Sequence, residues 1–287
     1  MAEFRAKKAL GQNFISDPQI ISAIADASGA GKTDIVVEIG PGLGALTCEL
    51  AERAEKVFAV ELDTSVIPFL KGNLAGAQNV EIINEDILKF DWSRVLGPAN
   101  TGDASSAPEG PGVSLRIIGN LPYYITTPIL LGILEKGVPA KSITVMVQKE
   151  VADRIVAKPG GKDYGVLSIS LQYYANCAKV LDVPAEYFEP RPKVDSAVVH
   201  MILKDRRLLT LEEEPGFFAC VKTSFSQRRK TLHNSLAGFK PVGKSGAALT
   251  KEQVDQALEA AGIDPKRRPE TLSIEEFAQL SRELAKV

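Results

Sequence analysis

Five short runs rich in valine and isoleucine, separated by stretches with helical spacing, organise the first two-thirds of the chain: Ile35–Ile39, Val57–Val60, Val80–Ile83, Leu115–Ile118 and Ile143–Val147. They carry apolar residues at consecutive positions, as strands covered on both faces do. Helices on both sides of a parallel sheet supply that cover. The chain is thereby confined to a doubly wound α/β fold, with ligand sites at the carboxyl ends of the strands. Asp17-Pro18 and Thr127-Pro128 each place a capping oxygen before a proline suited to the first helical position. Leu167–Leu181 and Ser196–Leu203 read as two more strands closing the sheet.

After about Lys204 the pattern turns helical. Thr250-Lys-Glu-Gln253 is a capping box, followed by Val254, Ala257, Leu258 and Ala261 at helical spacing before Gly262. Ser273-Ile-Glu-Glu276 opens another helix, with Phe277, Leu280 and Leu284 on one face. The expectation is a Rossmann-like domain over residues 1–204 and a small all-helical domain over residues 205–287. Gly97–Gly112 (GPANTGDASSAPEGPG) interrupts the first domain without one large apolar side chain, and reads as a surface insertion.

Composition removes several classes. At 45% hydrophobic and 24% charged, with net charge −2, the 287 residues fit neither collagen nor wholesale disorder. No apolar run approaches the ~20 residues of a membrane span. The opening Met-Ala-Glu-Phe-Arg-Ala-Lys-Lys lacks the apolar core of a signal peptide. Cys48, Cys177 and Cys220 are odd in number and far apart, and with only His200 and His233 beside them no zinc spacing exists. A cytosolic protein without a metal is expected.

Ile35–Ile39 runs into Gly40-Pro-Gly42-Leu-Gly44-Ala45, and Glu61 closes the next strand about twenty residues on. Glycines permit a tight turn and close approach of a ligand, and a carboxylate there can accept from both ribose hydroxyls. Gly40, Gly42 and Ala45 match the dinucleotide pattern G-x-G-x-x-A. Gly40, Gly42 and Gly44 match the E-x-G-x-G-x-G form of S-adenosylmethionine binders. The loop alone leaves NAD and S-adenosylmethionine both open. Asp86, after the third strand, either accepts from an adenine amino group or caps its own turn.

The fourth strand ends Asn120-Leu121-Pro122-Tyr123. That constellation suits chemistry on an exocyclic amine of adenine, whose lone pair is delocalised into the ring. Acceptors at the Asn120 side-chain oxygen and the Leu121 carbonyl would favour a pyramidal, nucleophilic nitrogen. Pro122 would stiffen the loop and Tyr123 would stack on the base. Hydride transfer has no use for such a group, so the choice tips to S-adenosylmethionine.

The chain here resembles the ribosomal RNA small subunit adenine-N6,N6-dimethyltransferases of the KsgA type, over nearly its whole length. Gly11-Gln-Asn-Phe14 resembles that family's N-terminal cofactor motif, Val37-Glu-Ile-Gly-Pro-Gly-Leu-Gly44 its glycine loop, and Asn120-Leu-Pro-Tyr-Tyr-Ile-Thr-Thr-Pro128 its catalytic loop. Phe188-Glu-Pro-Arg-Pro-Lys-Val-Asp-Ser196 and Phe225-Ser-Gln-Arg-Arg-Lys-Thr-Leu232 resemble two further segments. The resemblance implies that Asn13, Ile15, Gly40, Glu61, Asp86 and Asn120 contact S-adenosylmethionine. Ile15 stands where leucine is more usual, a change a backbone contact survives. The Gly97–Gly112 stretch is longer than the family pattern.

It further implies dimethylation of two adjacent adenosines in the 3′-terminal hairpin of small-subunit rRNA, on a partly assembled ribosomal subunit, by a monomer. A base must leave its stack to be methylated, and Tyr123 and Phe188 would sandwich it. Lys222, Arg228, Arg229, Lys230, Lys240 and Lys244 form an acid-free basic run. On a helix anchored by Phe225 and Leu232, Lys222, Arg228, Arg229 and Lys230 would point outward to phosphate. Two other readings share parts of this pattern: the large-subunit rRNA methyltransferases of the macrolide-resistance type, and a noncatalytic nucleic-acid-binding relative.

Overall fold

The computed structural model describes Lys7 and residues 11–96, 114–227, 229–243 and 248–287. Gly97–Gly112, Arg228 and Lys244 therefore fall outside the described residues. Two compact units are present: residues up to Ala152 with Ala175–Leu203, and Asp153–Tyr174 with Lys204–Val287.

In chain order the elements are β1 (Phe14–Ile15), α1 (Pro18–Ser28), β2 (Asp34–Ile39), α2 (Ala45–Arg53), β3 (Lys56–Glu61), α3 (Ile67–Asn73) and β4 (Val80–Asn84). There follow α4 (Ser93–Leu96), β5 (Ser114–Asn120), α5 (Thr126–Glu135), β6 (Ala140–Gln148), α6 (Lys149–Ile155), α7 (Val166–Tyr174), β7 (Ala175–Val183), β8 (Phe188–Glu189) and β9 (Ser196–Leu203). The chain ends with α8 (Glu214–Ser224), α9 (Leu232–Ser235), α10 (Lys251–Ala260) and α11 (Ile274–Leu284).

The first unit holds a seven-stranded sheet of order β4-β3-β2-β5-β6-β9-β7. Strands β4 to β6 are mutually parallel, and β9 and β7 add antiparallel. The order reverses between β2 and β5, and a crevice opens at the carboxyl ends of such a pair. Consecutive apolar residues do what they predict: Val57, Phe58, Ala59 and Val60 of β3 are all buried. Ala25 of α1, Leu50 of α2, Val36, Val57 and Ile118 form one core cluster. Helix α1 starts as read, with Asp17 Oδ1 accepting from the N–H groups of Gln19 at 2.8 Å and Ile20 at 3.1 Å. Helix α5 does not. It begins one residue before Thr127 with no side-chain cap, and the Thr126 hydroxyl donates back to the Pro122 carbonyl at 3.1 Å.

The second unit corrects two expectations. Leu167–Tyr174 is helix, and only from Ala175 does the chain become strand. Leu167, Ser168, Ile169, Ser170, Leu171, Tyr173 and Tyr174 are all buried, so no polar face marks the helical period. Residues 153–174 accordingly belong to the second unit, not to a domain running through 204. Tyr173 packs on Phe217 at 5.0 Å between ring centres, and its hydroxyl donates to Glu214 at 3.0 Å. Both capping boxes form, at Thr250–Gln253 and Ser273–Glu276. Phe277, Leu280 and Leu284 are fully buried.

Residues 225–227 and 229–231 are not helix. Helix α8 stops at Ser224, and α9 starts at Leu232 after an extended Thr231. Thr223, Ser224 and Ser226 favour local turns over helix. The N–H of Leu232 donates to Arg267 O at 2.9 Å, fixing the restart by tertiary contact. Arg229 and Lys230 stand exposed on this turn and Lys222 on α8.

Candidate active site

A cleft of about 640 Å³ opens at the carboxyl ends of β2 to β5. The reason is local. Strand β2 must turn sharply into α2, and Gly40, Gly42 and Gly44 do so at φ of +68°, +55° and +91°. At Gly42 a Cβ would come within 2.7 Å of the Phe14 ring, and at Gly44 within 2.8 Å of Leu70. Gly44 is therefore set by packing against α3. It does not line the cleft, whereas Gly40 and Gly42 do.

Asn13, Ile15, Glu61, Asp86, Asn120, Leu121, Pro122 and Tyr123 all line the same cleft. Glu61, Asp86 and Asn120–Tyr123 are brought together by strand ends that the parallel sheet places side by side, while Asn13 and Ile15 enter on β1, which pairs with β8. Asn120 donates its amide nitrogen to the Asn13 carbonyl at 2.9 Å, so its Oδ1 is the atom left to accept. The Tyr123 hydroxyl is hydrogen-bonded to Ser196 Oγ at 2.6 Å, which fixes the ring in the wall. Burial pushes its phenol pKa up, the Ser196 bond opposes this and the Asp195 charge adds to it, so the phenol stays neutral.

Glu61 accepts from the backbone N–H of Asp63 at 2.8 Å and of Gly42 at 3.2 Å. A carboxylate has about four acceptor positions, so acceptor capacity remains. Burial raises its pKa, the backbone N–H groups of Asp63, Gly42 and Leu62 pull it down, and the Asp63 charge raises it further. Asp86 Oδ1 closes a turn by accepting from the Leu88 N–H at 3.0 Å, and the residue lines the cleft.

Phe188 departs from its expected place. It is 3% exposed and packs with Ile24, Met146, Val183 and Val198, while the neighbouring Glu189 and Pro190 line the cleft instead. The cause is β8, where Phe188 pairs with Ile15 and its ring turns inward. The basic residues Lys222, Arg229 and Lys230 belong to the second unit.

Glu38 escaped the sequence reading as a site residue. It lines the cleft at 2% exposure, and its Oε2 has no hydrogen-bond partner. Burial pushes its carboxyl up to about 7, the nearby Thr47 hydroxyl opposes the shift, and the Glu61 charge adds to it. The available signal was a carboxylate inside the otherwise apolar run Ile35–Ile39. Among the described residues no group of three or more His, Cys, Asp or Glu side chains is placed to hold a metal ion. No helix among them is long and apolar enough to cross a membrane.

Residues 3–286 match the family described as ribosomal RNA adenine dimethylase. Ribosomal RNA small subunit methyltransferase A of Alkaliphilus oremlandii is 45% identical over 284 residues, 99% of this chain and 93% of that protein. The protein of the same name from Shouchella clausii is 48% identical over 278 residues, 97% of this chain and 89% of its own. Among solved structures, a dimethyladenosine transferase from Plasmodium falciparum superposes with TM-score 0.75 at 26% identity, covering 93% of this chain and 95% of that one. The 23S rRNA methyltransferase ErmE gives TM-score 0.68 at 26% identity, covering 94% and 99%.

Proposed function

The chain belongs to the ribosomal RNA adenine dimethylase family, and on that footing we propose that its cleft takes S-adenosylmethionine as methyl donor and an adenine of small-subunit ribosomal RNA as acceptor. It is an rRNA adenine dimethyltransferase. The residues present fit the donor. An added Cβ at Gly40 would meet nothing but the Asn120 carbonyl, at 3.8 Å, so the glycine leaves open a cradle that a side chain would fill. Asn13, Ile15, Gly40, Gly42, Glu61 and Asp86 would hold the donor, Glu61 through its remaining acceptor positions at the ribose. Bound there, S-adenosylmethionine supplies an electrophilic methyl on a sulfonium sulfur. No metal is needed for that transfer.

The observation that carries the reading is the bond from Asn120 Nδ2 to the Asn13 carbonyl. It leaves Oδ1 as a fixed acceptor for the hydrogens of an exocyclic amine, beside the Leu121 backbone. Such preorganised acceptors act on the reacting nitrogen without reorganising as it changes shape. Pro122 keeps the loop rigid, and the tethered Tyr123 ring offers its face to the flipped base. Phe188 backs the wall through its pairing with Ile15.

The sheet-bearing unit is the methyltransferase domain and the helical unit the ribosome-binding one. Exposed Lys222, Arg229 and Lys230 take phosphates, together with Arg228, which lies outside the described residues. The acceptor is two adjacent adenosines in the 3′-terminal hairpin, presented by a partly assembled subunit to a cytosolic monomer. The test is mass spectrometry of rRNA from unmethylated small subunits incubated with the purified chain and S-adenosylmethionine. Two N6,N6-dimethyladenosines in the hairpin are expected. Modification of large-subunit rRNA instead, or none at all by protein that binds the subunit, would overturn the assignment.

A further inference from the structure

Residues 11–15 meet three of the segments around the cleft. Phe14 lies against Gly42, the Asn13 carbonyl holds Asn120, and Ile15 pairs with Phe188. What joins this segment to the end of β3 is one carboxylate. Asp63 Oδ1 accepts from Lys7 Nζ at 2.7 Å, and Oδ2 accepts from Gln12 Nε2 at 2.9 Å. The Lys7 backbone N–H donates to Gln12 Oε1 at 2.8 Å, closing a ring of three residues.

Asp63 also does local work, since Oδ1 accepts from the Ser65 N–H at 3.0 Å and the Ser65 hydroxyl at 2.7 Å. Those two bonds suffice for the turn. The bonds from Lys7 and Gln12 reach across more than fifty positions of sequence and serve something else. The Asp63 side chain is 2% exposed, so its charge is shielded from water and strongly felt by its donors. Burial would raise its pKa, but the bonds from Lys7, Ser65 and Gln12 outweigh that and hold the carboxyl well below its usual range. The Asp63 N–H in turn donates to Glu61, which accepts from Gly42. N-terminal segment, ribose-binding acid and glycine loop therefore form one hydrogen-bonded chain.

We propose that Asp63 is a positioning residue, a latch that closes residues 11–15 on the cleft through Lys7 and Gln12 and thereby sets the affinity for S-adenosylmethionine. The inference rests on the cofactor reading above and adds to it a group that does not line the cleft. The Lys7 arm is the weaker one, because the lysine is 48% exposed and surface pairs contribute little. The Gln12 arm, between an amide and a buried charge, is the stronger.

Asp63→Asn keeps an oxygen for the Ser65 turn and removes the charge. Gln12→Ala and Lys7→Met remove one arm each, and Asp63→Glu restores the charge. By titration calorimetry Asp63→Asn should weaken S-adenosylmethionine binding roughly 10- to 100-fold, Gln12→Ala about 10-fold, and Lys7→Met about 2- to 5-fold. Asp63→Glu should recover part of the loss. The KM for the donor should rise accordingly, while kcat at saturating donor stays within a few-fold. Amide hydrogen exchange of residues 11–16, followed without any cofactor, should quicken in Asp63→Asn while Tm moves by no more than about 3 °C.

Unchanged affinity in the folded variants overturns the proposal, as does unchanged exchange at residues 11–16. A wild type that fails to bind the donor overturns the cofactor reading instead, and the exchange measurement then still decides the latch. If Asp63→Asn fails to fold, Gln12→Ala and the partly exposed Lys7→Met carry the same test.

Discussion

The two ends of the parallel sheet use the same kinds of residue to opposite purpose. At the amino end, Asp34 accepts from the Ser114 hydroxyl, from Arg116 Nε at 2.6 Å and from the Gly31 N–H at 2.8 Å. Arg116 Nη1 goes on to the Ser28 carbonyl at 2.9 Å and the Ser142 hydroxyl at 3.1 Å. Charge and hydroxyl answer one another, and the set closes on itself. At the carboxyl end, Glu38 keeps a buried oxygen without a partner, and Asn120, which lines the cleft, commits its amide nitrogen to Asn13 and not its oxygen. Polar groups satisfied within the chain hold a fold together, whereas those left with acceptor capacity are available for chemistry.

The largest effect that could break this contrast belongs to the closed end. Arg116→Met leaves the Asp34 carboxylate buried and unpaired, and should cost about 3–5 kcal/mol by denaturant unfolding, with donor affinity of the folded protein unchanged. A loss below about 1 kcal/mol would mean the closed network is dispensable.

Phe188 tests where the border between the two ends runs. As a core residue, Phe188→Ala should also cost about 3–5 kcal/mol of stability. Activity per folded molecule should change little. Methylation that collapses in protein of normal stability would return Phe188 to the base pocket.

Asn120→Ala sharpens the open end. Single-turnover methylation should slow about 10²–10³-fold, by analogy with loss of one oxyanion-hole donor, while unfolding midpoints barely move. Wild-type speed would remove Asn120 from the chemistry.

Glu38 gives the contrast a pH signature. Its carboxyl is raised from 4.5 to about 7 by burial, with the Glu61 charge adding. The folded state thus holds this proton more tightly than the unfolded one. Its contribution to stability is full below the unfolded pKa and is lost as pH rises through that window. In denaturation series from pH 4 to 8, wild type should lose stability relative to Glu38→Gln across it. Parallel curves would show that Glu38 finds its missing partner.

The smallest effect extends the rule beyond the sheet. Arg229→Ala with Lys230→Ala should flatten the salt dependence of small-subunit binding by about 0.7–0.9 in slope per lost phosphate contact. Superimposable curves would make the two cations a solvated surface.

What the sequence made legible follows the same division. Strands covered on both faces announce themselves by consecutive apolar residues, and their carboxyl ends delivered Gly40, Glu61, Asp86 and Asn120–Tyr123 to one cleft. Val166–Tyr174 was misread because a helix buried all round has no polar face to set its period. Phe225–Leu232 was misread because contacts with Arg267 and Pro265, distant in sequence, decide where the helix restarts. The Lys7–Asp63–Gln12 ring is invisible for a related reason. An aspartate two residues past a strand looks like a turn former, and nothing local announces donors more than fifty positions away.

The chain passes from one unit to the other at residues 152–153, 174–175 and 203–204, and that interleaving bears on how the molecule is made. Synthesis runs from the amino terminus at roughly 5–20 residues per second. Helix α7 is therefore translated well before Phe217, the aromatic partner of Tyr173, exists. The sheet meanwhile gains β7 and then β9, the strand that lies between β6 and β7. A fragment cut at Leu203 would keep all seven sheet strands yet strand the buried faces of α7 without a core. Neither unit can be excised with a single cut, and the helical unit comes into being only when almost the entire polypeptide is available.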